Sequence, residues 1–169
     1  METVGGAHVL LGIIAMAHDM ECLYAASKAL VCVIKSNPFT RMQMSENKGY
    51  QILGMLLRKK IHLLNAHILH LMFTLAGTID AGRDTNGIQN IPAFRDILCD
   101  LDLWHEAPSE LEKLLMEHLL ELVTDSQKNM TNIRLMREFA LVEKLLAILK
   151  KSSCKNATTP LLLGNYGFK

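Results

Sequence analysis

Apolar residues recur every three or four positions through most of this chain, which is the spacing that gathers side chains onto one face of an α-helix. The pattern is clearest in the segment 48–77, which predicts two antiparallel helices and a stop at Gly77, since glycine readily ends a helix. The core positions expected in this segment are Ile52, Leu56, Ile68, Leu71 and Leu75. One helix pair cannot bury two apolar stripes by itself, so the segment predicts neighbours of the same kind on both sides.

The predicted helices recur at nearly constant intervals along the chain. First helices of successive units are expected to begin near Ala7, Lys48, Ala93 and Phe139, and second helices near Cys22, Leu63 and Ser109. Intervals of 41 to 46 residues are typical of armadillo and HEAT repeats, in which each unit stacks on the previous one. The sequence therefore predicts an all-α, armadillo/HEAT-like α-solenoid of about three and a half repeats, with a compact helical bundle as the alternative.

Local signals predict several helix ends. Asp19 is a suitable N-cap for the second helix, and Pro38 ends that helix because proline lacks the N–H and restricts the residue before it. Proline also begins helices well, so the segment PFTRMQMSE is predicted to be a short linking helix of the armadillo type. Ser109 and Glu112, directly after Pro108, have the spacing of a capping box and predict the start of a long third-unit helix.

The second half of the chain continues the pattern as far as Lys151. The core positions expected here are Trp104, Leu115, Leu119, Leu145 and Leu149. The tryptophan is expected to act as a wedge between units. We divide the chain into an armadillo-like helical repeat segment, 1–151, and a non-repeat C-terminal tail, 152–169. An uncapped solenoid end exposes the apolar face of its last helix, so either the tail folds back over that helix or the chain is a piece of something larger.

Composition narrows the class of protein. Half of the 169 residues are hydrophobic and only 5% are aromatic, which excludes disorder for most of the chain and favours packed helices over a β-sandwich. The formal net charge of +1 gives no electrostatic footprint of a nucleic-acid-binding protein. The four cysteines form no CxxC motif, so we interpret them as reduced, mostly buried thiols.

The N-terminus contains an apolar run at residues 9–17 that ends in Ala15-Met16-Ala17, the small-x-small pattern of a signal-peptidase site. No lysine or arginine precedes the run, and it is too short to span a bilayer, so no transmembrane segment is predicted. Together with glycosylation triplets beginning at Asn129 and Asn156, it nevertheless keeps one alternative open. That alternative is a small secreted helical-bundle protein with a cleaved signal peptide.

The chain offers little site chemistry. His62, His67 and His70 lie close together, but no Cys, Asp or Glu nearby completes the three or four ligands that zinc requires. Nucleotide-binding, P-loop and nucleophile-elbow motifs are absent, and His105-Glu106 lacks the second histidine of HExxH. The basic residues 58–60 are interpreted as partners of a helix dipole, and GTIDAGRDTNGIQNI as a surface loop. We therefore predict no catalytic, cofactor-binding or metal-binding residues, and a protein that is not an enzyme.

Three stretches resemble a segment of the BEACH-domain scaffold proteins, in the branch that carries WD repeats and a FYVE finger. They are KGYQILGMLLRKK with LLNAHILHL, AFRDILCDLDLWHEAPSELEKLLMEHLLELVTDS, and NIRLMREFALVEKLL, and the resemblance covers roughly residues 1–151. The branch includes an autophagy-linked member and an immune-cell relative. The resemblance implies an armadillo-like part of a giant cytoplasmic scaffold that serves selective autophagy, vesicle traffic or antigen cross-presentation.

The resemblance also sets limits on what can be expected. The BEACH, PH-like, WD-repeat and FYVE modules of the family have no counterpart here, so phosphoinositide binding is not carried over. Protein partners are expected without being identified, and endomembrane association is expected only through the rest of a longer protein. Residues 152–169 depart from the expected pattern, which suggests an alternatively ended short isoform.

Overall fold

The computed structural model describes residues 6–80, 83–84, 87–124 and 128–157. Its α-helices are α1 (Gly6–Met16), α2 (Met20–Ser36), α3 (Pro38–Glu46), α4 (Gly49–Lys59), α5 (Ala66–Ala76), α6 (Ile91–Ala93), α7 (Leu101–Glu106), α8 (Ser109–Thr124), α9 (Asn129–Glu138) and α10 (Leu141–Ala157). A 3₁₀ turn at Ile61–Leu63 precedes α5, and a π-helical turn at Phe94–Leu98 follows α6. Two short strands, β1 (Ile79–Asp80) and β2 (Arg83–Asp84), pair in antiparallel orientation.

The helices stack in two layers. In the first layer α1 packs on α4, α4 on the π-helical turn and α7, and α7 on α10. In the second layer α2 packs on α5 and α5 packs on α8. The short helices α3 and α9 link the end of one unit to the first-layer helix of the next. This arrangement is the predicted all-α stack of helical units, with the fourth unit represented by α9 and α10.

Side-chain contacts between units connect residues that lie about one repeat apart in the sequence. Six such pairs are Lys35–Asp80, Arg58–Asp100, Tyr50–Asn90, Thr78–His118, Cys99–Lys144 and Asp102–Lys151, with separations of 40 to 49 positions. Offsets close to one repeat length are expected when equivalent positions of successive units lie next to each other. They therefore favour stacked repeat units over a compact bundle.

The ends of α2 and of the short linking helix α3 are determined by local capping residues. Asp19 Oδ1 accepts a hydrogen bond from Cys22 N at 2.7 Å, so Asp19 caps α2 as predicted. Asn37 ends α2, and its side chain also caps α3, whose first residue is Pro38. As a result α3 covers the predicted segment without a shift at either end.

The predicted capping box of α8 is wrong in its contacts, although the helix begins where it was expected. Ser109 is the first residue of the helix instead of the residue before it, and Leu111 N donates to Pro108 O at 2.8 Å. Glu112 Oε1 lies 3.0 Å from His105 Nδ1 and therefore faces the end of α7. The acidic first turn still complements the helix dipole.

The core runs through all four units. Ile68, Leu75, Trp104, Leu115 and Leu119 are each at most 5% exposed. Leu56, Leu71 and Leu145 are partly buried and pack against this core. The two remaining expected core residues, Ile52 and Leu149, are 38% and 62% exposed, so their prediction is wrong.

Both errors come from choosing the wrong one of two neighbouring apolar stripes. On α4 the buried stripe passes through Tyr50, Leu53 and Leu57, which leaves Ile52 at its edge. Among residues 141–153 of α10, the buried side chains are Leu141 and Ile148. The described helices that contact α10 are α7 and α9, and Leu149 lies on a side of α10 that they leave exposed.

The described residues of the expected surface loop between the second and third units include a strand pair and a buried side chain. It contains the β1–β2 pair, and its last residue but one, Asn90, is buried. Asn90 Nδ2 donates to Tyr50 Oη at 2.9 Å and to Leu75 O at 3.0 Å, which joins the two units. Burial raises the pKa of the Tyr50 phenol. Residues 81–82 and 85–86 of this loop lie outside the described residues.

The first helix of the third unit, which the sequence predicts to begin near Ala93, is not continuous. Cys99 N donates to Phe94 O at 2.9 Å, which closes a π-helical turn, and the helix breaks before α7 begins at Leu101. Trp104 on α7 then donates from Nε1 to Ile97 O at 2.9 Å. The buried indole is therefore hydrogen-bonded, and α7 lies between α4 and α10.

Two positions with positive φ lead to opposite stability predictions. Gly77 (φ 74°) ends α5, and a Cβ there would lie 2.6 Å from Gln89 Cβ, so Gly77→Ala is expected to lower the free energy of unfolding by about 1–2 kcal/mol. Ala140 (φ 52°) precedes α10 and has a left-handed backbone conformation that is unfavourable for a residue with a Cβ. Ala140→Gly is therefore expected to raise the free energy of unfolding by about 0.5–1 kcal/mol. Urea unfolding followed by circular dichroism measures both changes. Equal signs for the two variants would contradict the assigned backbone conformations.

Candidate interaction surface

A groove with charged edges crosses the first layer of the stack. It is formed by α4, the π-helical turn, the start of α7 and α10, and has a volume of about 500 Å³. We call it the charged groove. We call its apolar lining residues, which include Met55, Leu101 and Ile148, the floor, and its charged lining residues, which include Arg58, Arg95 and Lys144, the edges. Because these elements belong to the second, third and fourth units, the groove exists only when the units are stacked.

Close backbone packing determines the shape of this groove. Gly54 on α4 faces the π-helical turn, and a Cβ at this position would lie 3.2 Å from the carbonyl oxygen of Asp96. That distance is tighter than ordinary van der Waals contact, so a larger residue would push α4 away from the turn. Glycine at position 54 therefore allows the two elements to approach each other.

Ion pairs line the edges of the charged groove. Arg58 Nη2 donates to both carboxylate oxygens of Asp100 at 2.8 Å, and this hydrogen bonding raises the pKa of the Arg58 guanidinium. Arg95 donates two hydrogen bonds to the neighbouring Asp96, at 2.8 and 2.9 Å. Lys151 Nζ lies 3.2 Å from Asp102 Oδ1. All of these pairs are partly exposed, so each contributes little to stability while still presenting charge to a bound molecule.

Cys99 lies at the groove but is not suited to nucleophilic chemistry. Its thiol is completely buried, and this burial raises its pKa to about 12. Lys144 Nζ donates to the Cys99 carbonyl oxygen at 3.2 Å and so contacts the backbone of this residue. The thiol therefore stays protonated at neutral pH and is interpreted as part of the core. Cys22 is half-buried and Cys32 is exposed, so the expectation of mostly buried thiols does not hold for Cys32.

A second groove lies at the end of the stack, between α8, α9 and α10. We call it the end groove. Its volume is about 700 Å³, and its lining is almost wholly apolar, with Leu119, Leu120, Met136, Val142 and Leu145 among the lining residues. Arg137 and Glu143 are the charged residues of its lining. Among the described residues, part of the apolar face at this end of the stack is therefore exposed.

The histidines of the central unit are dispersed along its surface. His62 lies in the 3₁₀ turn, and the exposed His67 and His70 contact the aromatic rings of Tyr24 and Phe73. Within the described ranges no group of three or more His, Cys, Asp or Glu side chains is placed to hold a metal ion. His118 is buried, stacks on Phe73 with ring centroids 4.1 Å apart, and lies 2.8 Å from Thr78 Oγ1.

The sequence reading missed the charged groove because it considered each charge within its own helix. It interpreted Arg58, as one of the basic residues 58–60, as a partner of a helix dipole. The structure instead pairs Arg58 with Asp100 and Lys151 with Asp102. Their separations of 42 and 49 residues, close to the repeat interval, were the signal that could have identified both pairs.

The described part of the chain contains no helix with the length and apolar content needed to cross a membrane. A family model described as the Neurobeachin/BDCP, DUF4704 alpha solenoid region matches residues 25–152. No solved structure matches the chain.

Three relatives illustrate the range of the similarity. The chain is 34% identical over 164 residues to human WD repeat- and FYVE domain-containing protein 4, a match that covers 97% of this chain and 5% of that protein. The mouse protein of the same name is 35% identical over 153 residues, which is 90% of this chain and 5% of that protein. Beige protein homolog 1 of Schizosaccharomyces pombe is 22% identical over 161 residues, covering 94% of this chain and 6% of the relative.

These matches have two consequences for how the chain is understood. It spans about one-twentieth of the length of the relatives, so it is similar to one region of much larger proteins. The alignment with the human protein includes all but five residues of the chain, so it includes most of residues 152–169. The division at residue 151 stays a prediction, and α10 continues past it to Ala157.

From its two-layered helical stack and the match over residues 25–152, the chain belongs to the family of Neurobeachin/BDCP, DUF4704 alpha solenoid regions.

Proposed function

We propose that this chain is a non-enzymatic scaffold segment that binds a protein partner through the charged groove. The observation that carries this proposal is that three successive units build one groove with an apolar floor and ion-paired edges. Stacked helices present long continuous surfaces of this kind, which suit the binding of an extended or helical segment. The resemblance to scaffold proteins supports the same assignment.

The chemistry of the partner follows from the groove. Met55 on its floor is 59% exposed, although it is a large apolar side chain. An apolar side chain of the partner would therefore be desolvated on the floor, which is where most binding energy is gained. Charges of both signs at the edges, from Arg58, Arg95 and the aspartates of α7, would select a partner segment that also has both signs.

The cellular role that we propose is selective autophagy, vesicle traffic or antigen cross-presentation in the cytoplasm. It is supported by the resemblance to BEACH-domain scaffold proteins and by the similarity to proteins whose names include WD repeats and a FYVE domain. Because the chain corresponds to a small part of those proteins, we assign contact with endomembranes to other parts of them. The groove's carboxylates form ion pairs with arginines or a lysine and its thiol is buried, which supports a non-enzymatic role.

The packing of α1 argues against the secreted alternative. Leu11 and Ile14 on this helix are 4% and 0% exposed, and α1 contacts both α2 and α4. Cleavage after Ala17 would remove the whole helix and expose the apolar faces that it covers. Residues 6–17 are therefore interpreted as part of the first unit, not as a signal peptide.

The proposal is tested with a pair of methionine substitutions. Met55 lies in the charged groove, whereas Met130 on α9 is 74% exposed and lies outside its lining. Met55→Arg places a charge on the apolar floor and is expected to abolish partner binding, while Met130→Arg leaves binding unchanged. Proximity labelling in cells, with a biotin ligase fused to the full chain, measures the labelled proteins for each variant.

The expected result is a set of endomembrane-traffic or autophagy proteins that is labelled by the wild-type and Met130→Arg chains and lost with Met55→Arg. Circular dichroism establishes that all three proteins are equally helical. The same labelled set for all three chains would show that the charged groove is not the binding surface. If the wild-type chain labels no more proteins than the biotin ligase alone, this result would contradict the scaffold role.

A further inference from the structure

The charged groove has two polar ends on either side of an apolar middle. Its lining residues on α4 lie between Gln51 and Arg58, and those on α10 lie between Lys144 and Lys151. Because an α-helix rises by 1.5 Å per residue, each of these two faces is about 10 Å long. Polar residues lie at both ends of each face, and the exposed Met55 lies between the polar ends of α4.

One end of the groove, near Cys99, has an excess of positive charge. Lys144 Nζ donates to the Cys99 carbonyl oxygen at 3.2 Å, so its contact there is with a neutral acceptor. Arg95 pairs with Asp96, and the side chain of Arg95 is 47% exposed whereas that of Asp96 is 13% exposed. Two accessible cations and one largely covered carboxylate therefore meet here. We call this the basic end of the groove.

The other end of the groove contains more carboxylates than cations. Arg58 donates to both oxygens of Asp100 at 2.8 Å, and its Nη1 lies 4.0 Å from Glu106 Oε1. Lys151 Nζ lies 3.2 Å from Asp102 Oδ1. The side chains of Asp102 and Glu106 are 58% and 61% exposed, so their negative charge is accessible to a bound molecule. We call this the acidic end.

The position of Lys144 is not explained by the stability of its own helix. Lys144 is the fourth residue of α10, near the end where the helix dipole disfavours a cation. The adjacent Glu143 is the residue type that the dipole favours at this place. The charge of Lys144 is therefore better explained by the groove than by α10.

We propose that the partner of the charged groove places an acidic side chain against Lys144 and Arg95 at the basic end, an apolar side chain over Met55, and a basic side chain at the acidic end. This inference rests on the proposed function and adds the order of the three groups along the partner segment. A separation of about 10 Å corresponds to about seven residues in a helical segment and about three in an extended one. Lys144 is then a residue that determines specificity, because it selects a carboxylate over a cation.

Peptide selection tests this order without a known partner. A phage-displayed library of random peptides of about twelve residues, long enough to span the groove as a helix, is selected against the immobilised full chain. The enriched peptides that do not bind Met55→Arg are the groove-dependent set. In this set we expect Asp or Glu to be enriched severalfold on one side of an apolar residue, and Lys or Arg on the other side.

Two variants with the same change of charge show whether Lys144 causes the acidic preference. Lys144→Glu reverses a charge in the groove, whereas Lys150→Glu reverses an exposed charge on the same helix outside the groove lining. With Lys144→Glu the acidic preference should be replaced by a preference for Lys or Arg, and with Lys150→Glu it should not change. Circular dichroism establishes that both variants are as helical as the wild type.

Fluorescence anisotropy with a synthetic copy of the most enriched peptide provides a quantitative check. Binding should be about tenfold weaker for Lys144→Glu than for the wild type, because two like charges then face each other. Replacing the acidic residue of the peptide by lysine should restore binding to Lys144→Glu. Binding to Lys150→Glu should equal that of the wild type.

The outcomes separate this inference from the proposed function. Groove-dependent peptides without an acidic preference, or with the same preference for the wild type and Lys144→Glu, would overturn this inference and leave the groove as the binding surface. An equal loss of the preference with Lys150→Glu would also overturn it, since the general charge of α10 would then attract acidic peptides. A selection that yields no peptide dependent on Met55 would overturn both this inference and the proposed function.

Discussion

Replacing Trp104 by alanine is expected to lower the free energy of unfolding by about 3–5 kcal/mol, which is the usual cost of removing a large aromatic side chain from a core. Trp104 is completely buried on α7, which packs against first-layer helices of the units before and after it. Its loss leaves a cavity where those units meet. Because the expected change is a large part of the total stability of an ordinary domain, denaturation by urea with detection by circular dichroism suffices to measure it.

Two further variants provide an intermediate change at this site and a control on the surface. Trp104→Phe keeps an aromatic ring but removes the N–H that donates to Ile97 O, so about 1–3 kcal/mol should be lost. Met130→Ala, at a 74% exposed position, should change the free energy by no more than about 0.5 kcal/mol. A loss below about 1 kcal/mol for Trp104→Ala would show that the side chain does not hold the units together.

Placing a charge at Ile68 is the second change with a large expected effect. Ile68 on α5 is completely buried, and an aspartate there would have no compensating partner, so Ile68→Asp is expected to cost at least about 3 kcal/mol. Half-buried Leu71 on the same helix should tolerate aspartate better, because its side chain can reach solvent. Thermal unfolding followed by circular dichroism measures these differences.

The neighbouring His67 provides a matched control for the charge itself. His67 is exposed and lies with Ile68 in the first turn of α5, directly after Asn65, whose side chain accepts a hydrogen bond from Ile68 N at 3.0 Å. An acidic residue is favourable to the helix dipole at both positions, so the main difference between His67→Asp and Ile68→Asp is the burial of the charge. A helical Ile68→Asp protein with the melting temperature of the wild type would place α5 outside the core.

Helices with strong end signals could be predicted from the sequence almost to the residue. The ends of α2 and α3 follow from Asp19, Asn37 and Pro38, whose side chains satisfy or remove backbone donors locally. The stacking of units could also be predicted, because the interval between helices is a property of the sequence. The family match supports this part of the prediction over residues 25–152.

The choice between neighbouring apolar stripes could not be made from the sequence. Leu149 and Ile148 on α10 fit a helical period equally well, and only the position of α7 next to α10 decides that Ile148 is buried. Ile52 on α4 was assigned to the core for the same reason. Helical periodicity describes the face of one helix, whereas burial depends on which neighbours cover it.

The charged groove could likewise not be identified from short sequence motifs. Its residues come from three units and share no local spacing, so no short motif marks them. Arg58 and Asp100 become neighbours only because equivalent positions of adjacent units lie side by side. In a repeat protein, pairs of opposite charge separated by one repeat are therefore the pattern to look for.

The π-helical turn at Phe94–Leu98 has a consequence for chain length. A π turn accommodates one residue more than an α turn, and each residue rotates the direction of the following side chains by about 100°. Deletion of one residue here would let the backbone form ordinary α-helical hydrogen bonds, but it would turn Trp104 away from the Ile97 carbonyl. The number of residues between Asn90 and Trp104 is therefore as constrained as their identity, and differences in length among related chains are expected elsewhere.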